Sequence, residues 1–113
     1  MGYHILMSDS AWVAVIDEDK LPEGQGVAVF PKGLSVMLVK TGPDIYAVAN
    51  KCAHMACQLT AGRLFGHTIE CACHDWLFDI RTGESLDAPE IKIRVYEWKR
   101  EDGRIFVNLG AES

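Results

Sequence analysis

The chain has 113 residues, a length that suits one domain with a hydrophobic core but leaves no room for a separate catalytic domain. Charged residues make up 24% and hydrophobic residues 49% of the sequence, which is a globular rather than a disordered composition. The formal net charge of −5 argues against nucleic acid or an anionic membrane as a partner, and no apolar run approaches the ~18 residues that cross a bilayer.

Runs of β-branched and aromatic residues, separated by short turns, predict β-strands along the whole chain. In chain order, strands are expected at residues 12–16, 27–30, 35–40, 45–49, 68–70, 76–79, 91–98 and 105–109. The turn Gly42-Pro43-Asp44 predicts a hairpin between the third and fourth runs. Residues 91–98 alternate apolar and polar side chains, which predicts a strand with one face in a core and one in water.

No long stretch has helical periodicity, so an all-β antiparallel domain is predicted. We expect residues 1–113 to form a single domain. Residues of about 50–85, which contain the Cys and His motifs, are expected to form a small subdomain inserted between strands.

Two short clusters of Cys and His lie in the middle of the chain. Cys52 and His54 form a C-x-H pair, and Cys71 and His74 form a C-x-x-H pair after sixteen intervening residues. Each pair offers one thiolate and one imidazole, the set that holds a [2Fe–2S] cluster with two Cys on one iron and two His on the other. A structural zinc site is the alternative, although zinc motifs usually space their ligands more widely than C-x-H.

The chain resembles the Rieske family, and within it the small Rieske-type ferredoxins. Four further features shared with those ferredoxins lie outside the metal motifs: Leu21 to Gly24, Phe78-Asp79, Thr82-Gly83, and the strand-turn-strand segment around Asp102-Gly103. The resemblance implies an antiparallel Rieske-type β-sandwich or barrel with a small inserted cluster-binding subdomain.

The resemblance also implies a bound [2Fe–2S] cluster and assigns its ligands. Cys52 and Cys71 would bind the inner iron, and His54 and His74 the outer iron. A ligand-free Rieske-fold subunit is excluded because all four ligand positions are intact.

The implied function is electron transfer, with no substrate chemistry of the chain's own. A shuttle between an NAD(P)H-linked reductase and a terminal oxygenase or hydroxylase is expected. A fixed electron-transfer subunit of a larger metalloenzyme and a zinc-bound interaction module are the alternatives. Without an export signal or membrane segment, a cytoplasmic monomer is expected.

Two further cysteines, Cys57 and Cys73, match a pair that forms a disulfide in high-potential Rieske proteins of quinol-oxidising complexes. The resemblance therefore implies a disulfide between them. It would close a loop of about 17 residues and stabilise the fold by roughly 3 kcal/mol in the chain-entropy model. Two reduced thiols are the alternative, because disulfides are rare in the cytosol.

The expected cluster environment consists of Met55, Asp75, Trp76 and Phe78. High-potential members carry Ser and Tyr hydroxyls at the positions of Trp76 and Phe78, and Gly at that of Asp75. Because hydroxyl donors are missing and a carboxylate lies beside His74, we expect a reduction potential in the lower half of the roughly −150 to +300 mV Rieske range.

Three apolar residues near the ligands have two possible roles. Met55, Leu59 and Trp76 could pack in the core or form an apolar rim around the two histidines.

Overall fold

The computed structural model describes residues 12–51, 57–73 and 76–110. Within these ranges nine strands form two antiparallel sheets, accompanied by three short 3-10 turns and no α-helix. The predicted all-β antiparallel fold is confirmed. No helix in the described part of the chain has the length and hydropathy needed to span a bilayer.

The strands follow one another along the chain as β1 Trp12–Asp17, β2 Gly26–Val29, β3 Val36–Thr41, β4 Asp44–Ala49, β5 Arg63–Phe65, β6 Thr68–Glu70, β7 Leu77–Asp79, β8 Val95–Glu101 and β9 Arg104–Asn108. The larger sheet has the order β1-β9-β8-β4-β3-β2, and the smaller sheet has the order β5-β6-β7. The 3-10 turns are Glu18–Lys20, Pro31–Gly33 and Leu59–Ala61. The predicted hairpin is present, with Thr41 paired to Asp44.

Two of the strand predictions need correction. β5 was not predicted, because its three residues include a charged side chain and show no recognisable alternation. Residues 91–94 were predicted as strand, but β8 begins only at Val95. Residues 91–93 instead bond to the segment after β7, where the Ile93 N–H donates to the Gly83 carbonyl oxygen at 2.8 Å. The predicted alternation holds, since Ile93 lies in one hydrophobic cluster and Tyr96, three residues later, in the other.

These two clusters lie on opposite faces of the larger sheet. The site-side core contains Met37, Val39, Val48, Leu59, Ile69, Cys71, Phe78, Ile80 and Ile93. The sheet core contains Leu21, Val29, Val36, Leu38, Ile45, Ala47, Tyr96, Ile105 and Val107. Because successive strand residues point to opposite faces, β3 contributes alternate residues to the two cores. The smaller sheet therefore packs on one face of the larger one through the site-side core.

Candidate metal centre

The second Cys and His motif lies in the connection between β6 and β7. Three register pairs join these strands, from Thr68 opposite Asp79 to Glu70 opposite Leu77. The connection is closed at its base, where the Cys71 N–H donates a 2.7 Å hydrogen bond to the Trp76 carbonyl oxygen. Cys71 is fully buried in the site-side core. The hairpin thus holds one predicted ligand at a defined position.

The first motif follows β4. Residues 51–59, here called the first loop, run from the end of that strand into the 3-10 turn Leu59–Ala61. Leu59, which could have belonged to an apolar rim, is fully buried and belongs to the site-side core instead. The predicted site residues outside the described ranges are Cys52, His54, Met55, His74 and Asp75.

Three sulfur atoms bring the end of the first loop to the second motif. The Sγ atoms of Cys57, Cys71 and Cys73 all lie within 4.8 Å of one another. Cys57 and Cys73 lie at bonding distance with their Cα atoms 6.5 Å apart, which fits disulfide geometry. Cys57 is half-buried and packs against the site-side core, whereas Cys73 is exposed. The first loop is therefore held directly against the β6–β7 connection.

A glycine permits a close backbone approach at the same place. A Cβ atom added to Gly62 would overlap the Glu70 carbonyl oxygen and lie 3.3 Å from the Ala72 nitrogen. Those two residues flank Cys71 in the sequence. The chain leaving the first loop can therefore pass the second motif only because residue 62 has no side chain.

Asn50 is a functional candidate that the sequence analysis missed. It precedes the first loop and is 1% exposed. Its side-chain amide donates hydrogen bonds to Ser35 Oγ at 3.1 Å and to Thr60 Oγ1 at 3.2 Å, and its Oδ1 accepts one from the Thr60 N–H at 2.8 Å. Its position two residues before Cys52 was visible in the sequence, but its burial and its partners were not.

Trp76 and Phe78 occupy different environments, although they are two residues apart. Phe78 is fully buried in the site-side core beside Ile69, its register partner on β6. Trp76 is half-buried and packs against that core from outside, with its ring centroid 6.2 Å from that of Phe78. The Phe78 ring fills the core and has no hydrogen-bond donor to offer.

The turn after β7 is fixed by an ion pair. Asp79 Oδ1 accepts hydrogen bonds from the Arg81 N–H at 2.8 Å and from Nε at 3.0 Å, and Oδ2 accepts one from the guanidinium at 2.9 Å. The hydrogen bonds from Arg81 lower the pKa of the Asp79 carboxyl below its ordinary value. The carboxylate therefore stays ionised and stabilises the outer edge of the smaller sheet.

The described residues fit a [2Fe–2S] cluster. A thiolate ligand requires a cysteine that is not in a disulfide, and Cys71 is a free cysteine at the base of a closed hairpin connection. A four-ligand site also requires that the two motifs meet, and Cys57, three residues after the first motif in the sequence, lies beside Cys71 and Cys73 of the second. The cluster, when bound, supplies a one-electron redox couple.

Comparison with known proteins identifies the family. The family model for the Rieske [2Fe-2S] domain matches residues 11–97. The ferredoxin component of the naphthalene 1,2-dioxygenase/salicylate 5-hydroxylase systems of Ralstonia sp. is 35% identical over 87% of this chain and 95% of its own length.

Solved structures agree with that match. The ferredoxin of carbazole 1,9a-dioxygenase from Nocardioides aromaticivorans IC177 superposes with a TM-score of 0.77 at 32% identity, covering 86% of this chain and 96% of that one. A structure of the complex of reduced oxygenase and oxidised ferredoxin in carbazole 1,9a-dioxygenase matches with a TM-score of 0.81 at 26% identity, covering 91% of this chain and 96% of the matched chain.

These matches confirm the resemblance, the expected cofactor and the expected class of electron-transfer protein rather than enzyme. The chain belongs to the Rieske [2Fe–2S] domain family, among its ferredoxin-type members.

Proposed function

We propose that this protein carries single electrons from an NAD(P)H-linked reductase to a terminal oxygenase or hydroxylase. The supporting relatives are named as ferredoxin components of dioxygenase systems and match over almost their whole length. The similarity to a structure that contains a ferredoxin with its oxygenase supports the same role. The partners would be redox proteins only, met through brief contacts by a monomer in the cytoplasm.

The proposed ligands are Cys52 and Cys71 on one iron and His54 and His74 on the other. The observation that carries this assignment is the buried Cys71 thiol next to the sulfur atoms that bring the two motif-bearing loops together. Burial of Cys71 excludes water from the thiolate side of the site. The exposed residues Gln58, Ala72 and Cys73 lie on the outer side of the same loops, where a partner would dock.

We further propose that Cys57 and Cys73 form a disulfide in the working protein. Their Cα separation falls in the range that disulfides occupy, and the approach of the two loops keeps the sulfur atoms together. Even in a reducing compartment, this enforced proximity favours reoxidation, because two thiols held together form a disulfide more readily than two separate thiols.

A reduction potential in the lower half of the Rieske range is proposed on the same structural grounds. Phe78 is buried with no donor to offer, so the added negative charge is less stabilised than in members with a hydroxyl at this position.

A fixed subunit of a larger metalloenzyme is the second candidate. The paired Cys57 and Cys73 favour it, because the resemblance associates that pair with proteins held in larger complexes. A monomer that exchanges electrons rapidly with a dioxygenase-system reductase would exclude the subunit role.

The first experiment compares cysteine variants of the purified protein. Iron and acid-labile sulfide analysis, electron paramagnetic resonance and film voltammetry should show two irons, two sulfides and one reversible one-electron wave per chain. Cys71→Ser should lose the cluster because a ligand is removed. Cys57→Ser combined with Cys73→Ser is the matched control and should still assemble the cluster, because neither residue is a proposed ligand.

Two outcomes would contradict the proposal. Zinc in place of iron in freshly purified protein, with no redox wave, would overturn the electron-carrier function. A cluster that survives Cys71→Ser but not the control substitutions would overturn the ligand assignment.

A further inference from the structure

Asn50 is one of two buried polar residues in the described part of the chain, together with Ser85. A buried amide is costly unless its hydrogen-bonding groups find partners. The Asn50 side chain uses both amide hydrogens and its carbonyl oxygen, through the bonds to Ser35 and Thr60 described above. This side chain is therefore held in one orientation.

These hydrogen bonds connect three separate segments. Ser35 directly precedes β3, Asn50 directly follows β4, and Thr60 lies in the 3-10 turn Leu59–Ala61. The Asn50 N–H also donates to the Ser35 carbonyl oxygen at 3.1 Å. The start of the first loop is thereby tied to the larger sheet.

The end of the first loop is tied to the same side chain. The first N–H groups of a helical turn have no partner within the turn and need an outside acceptor. Gln58, which precedes the 3-10 turn, provides no side-chain cap. Asn50 Oδ1 accepts the Thr60 N–H at 2.8 Å and so performs this function across the loop.

We propose that Asn50 is a positioning residue that joins both ends of the first loop and so controls how tightly the cluster is held and how easily it is reduced. The proposal rests on the proposed function, in which that loop supplies Cys52 and His54. Asn50 acts at the base of the loop, whereas Cys57 connects its middle to the β6–β7 connection.

The test compares substitutions along this contact with a matched control. Asn50→Ala removes all three side-chain hydrogen bonds. Thr60→Val removes one acceptor with little change in shape, and Thr60→Ser restores a hydroxyl. Asn108→Ala is the control, because Asn108 also makes two side-chain hydrogen bonds but lies on β9, two strands away from β4 in the larger sheet.

Three quantities are measured on cluster-loaded protein: the rate of cluster loss to a chelator, the g-values and the reduction potential. Asn50→Ala should speed cluster loss by about tenfold or more, as expected from losing several net hydrogen bonds. Its potential should rise, because a looser loop admits water that stabilises the added charge. Thr60→Val should show smaller changes in the same direction, and Thr60→Ser should reverse them.

The Asn108→Ala control distinguishes an effect on the position of the first loop from an effect on overall stability. Asn108→Ala should change the unfolding temperature without changing the g-values or the potential. If Asn50→Ala and Thr60→Val lower the unfolding temperature but keep wild-type g-values, potential and cluster-loss rate, the positioning role is wrong. If Asn50→Ala fails to assemble a cluster, Thr60→Val and Thr60→Ser still decide the question.

Measurements on the wild-type protein distinguish failure of the proposed function from failure of the role of Asn50. A wild-type chain without a [2Fe–2S] spectrum would refute the proposed function. A normal wild-type spectrum, together with variants whose cluster-loss rate, g-values and potential match the wild type, would refute only the role of Asn50.

Discussion

The two sheets of this protein are held together in different ways. The larger sheet has pairings of up to six residue pairs and is covered on both faces by hydrophobic clusters. The smaller sheet has strands of three residues, and its loops depend on individual contacts at Cys57, Asn50 and Gly62. Regular pairing thus supports the scaffold, whereas single contacts position the metal centre.

This contrast between the two sheets indicates where substitutions will affect function. A substitution in the sheet core should change the free energy of unfolding and leave the cluster unaltered. A substitution among the contacts of the smaller sheet should change both. Four measurements test this division.

The largest effect is expected from matched leucine truncations. Leu38 in β3 and Leu59 beside the first loop are both fully buried. Each Leu→Ala change should cost about 3 to 4 kcal/mol of unfolding free energy, from lost burial and the cavity left behind. Only Leu59→Ala should also accelerate cluster loss, followed by visible absorbance. Equal cluster retention in both variants would contradict the division between the two sheets.

The second-largest effect is expected from removing the proposed disulfide between Cys57 and Cys73. Replacing Cys57 and Cys73 together by Ser should lower the free energy of unfolding by roughly 3 kcal/mol, because the denatured chain regains the freedom that the closed loop removes. Chemical denaturation with and without reductant measures this change in the free energy of unfolding. A wild-type protein that responds to reductant no more than the double variant would show that the pair is not oxidised.

A smaller effect is expected from two glycine substitutions. Gly62→Ala places a Cβ against the backbone of Glu70 and should cost about 2 to 3 kcal/mol. Gly26→Ala, in β2, brings a Cβ to 2.8 Å from the Met37 sulfur, and that flexible side chain can move, so about 1 kcal/mol is expected. Thermal unfolding of the two variants compares them. If Gly26→Ala lowers the unfolding temperature more than Gly62→Ala does, the side-chain contact at Gly26 outweighs the backbone contact at Gly62.

The smallest effect concerns acid stability. The pKa of Asp79 is lowered by its hydrogen bonds to Arg81, and that of Glu18 by its hydrogen bonds to Arg100. A lowered carboxyl pKa stabilises the fold above the ordinary pKa, and this stabilisation is lost as the pH falls through the lowered value, below about pH 4.

Arg81→Gln should therefore remove part of the acid dependence, and the effect should be small because solvent screens this partly exposed pair. Unfolding measured from pH 7 to pH 2 provides the comparison, with Arg100→Gln as the equivalent change in the larger sheet. Unchanged pH profiles in both variants would show that neither pair contributes to stability.

The larger sheet was largely predictable from the sequence, because its strands are long and rich in β-branched residues. The hairpin at Gly42 and the antiparallel class follow from local patterns of this kind. The late start of β8 was not predictable, since residues 91–93 bond to the segment after β7, a contact that only the fold creates.

The ligand motifs of the candidate site stay a prediction from the sequence, whereas its supports became visible only in the fold. The spacing of Cys and His is a local signal. Asn50 and Gly62 matter through partners that only the fold brings near them, such as Ser35, 15 residues away from Asn50, and the backbone of Glu70. A sequence pattern of single residues gives no indication of such contacts.

The hairpin that carries Cys71 also has a consequence for the order of folding. β6 and β7 are neighbours in sequence, so their pairing closes a short loop and should form early. β3 and β4 form an equally local hairpin, whereas the contact of Cys57 with Cys73 joins positions 16 residues apart. We therefore expect both hairpins to form before the two segments that carry Cys and His meet, so that iron–sulfur insertion waits for that longer-range step.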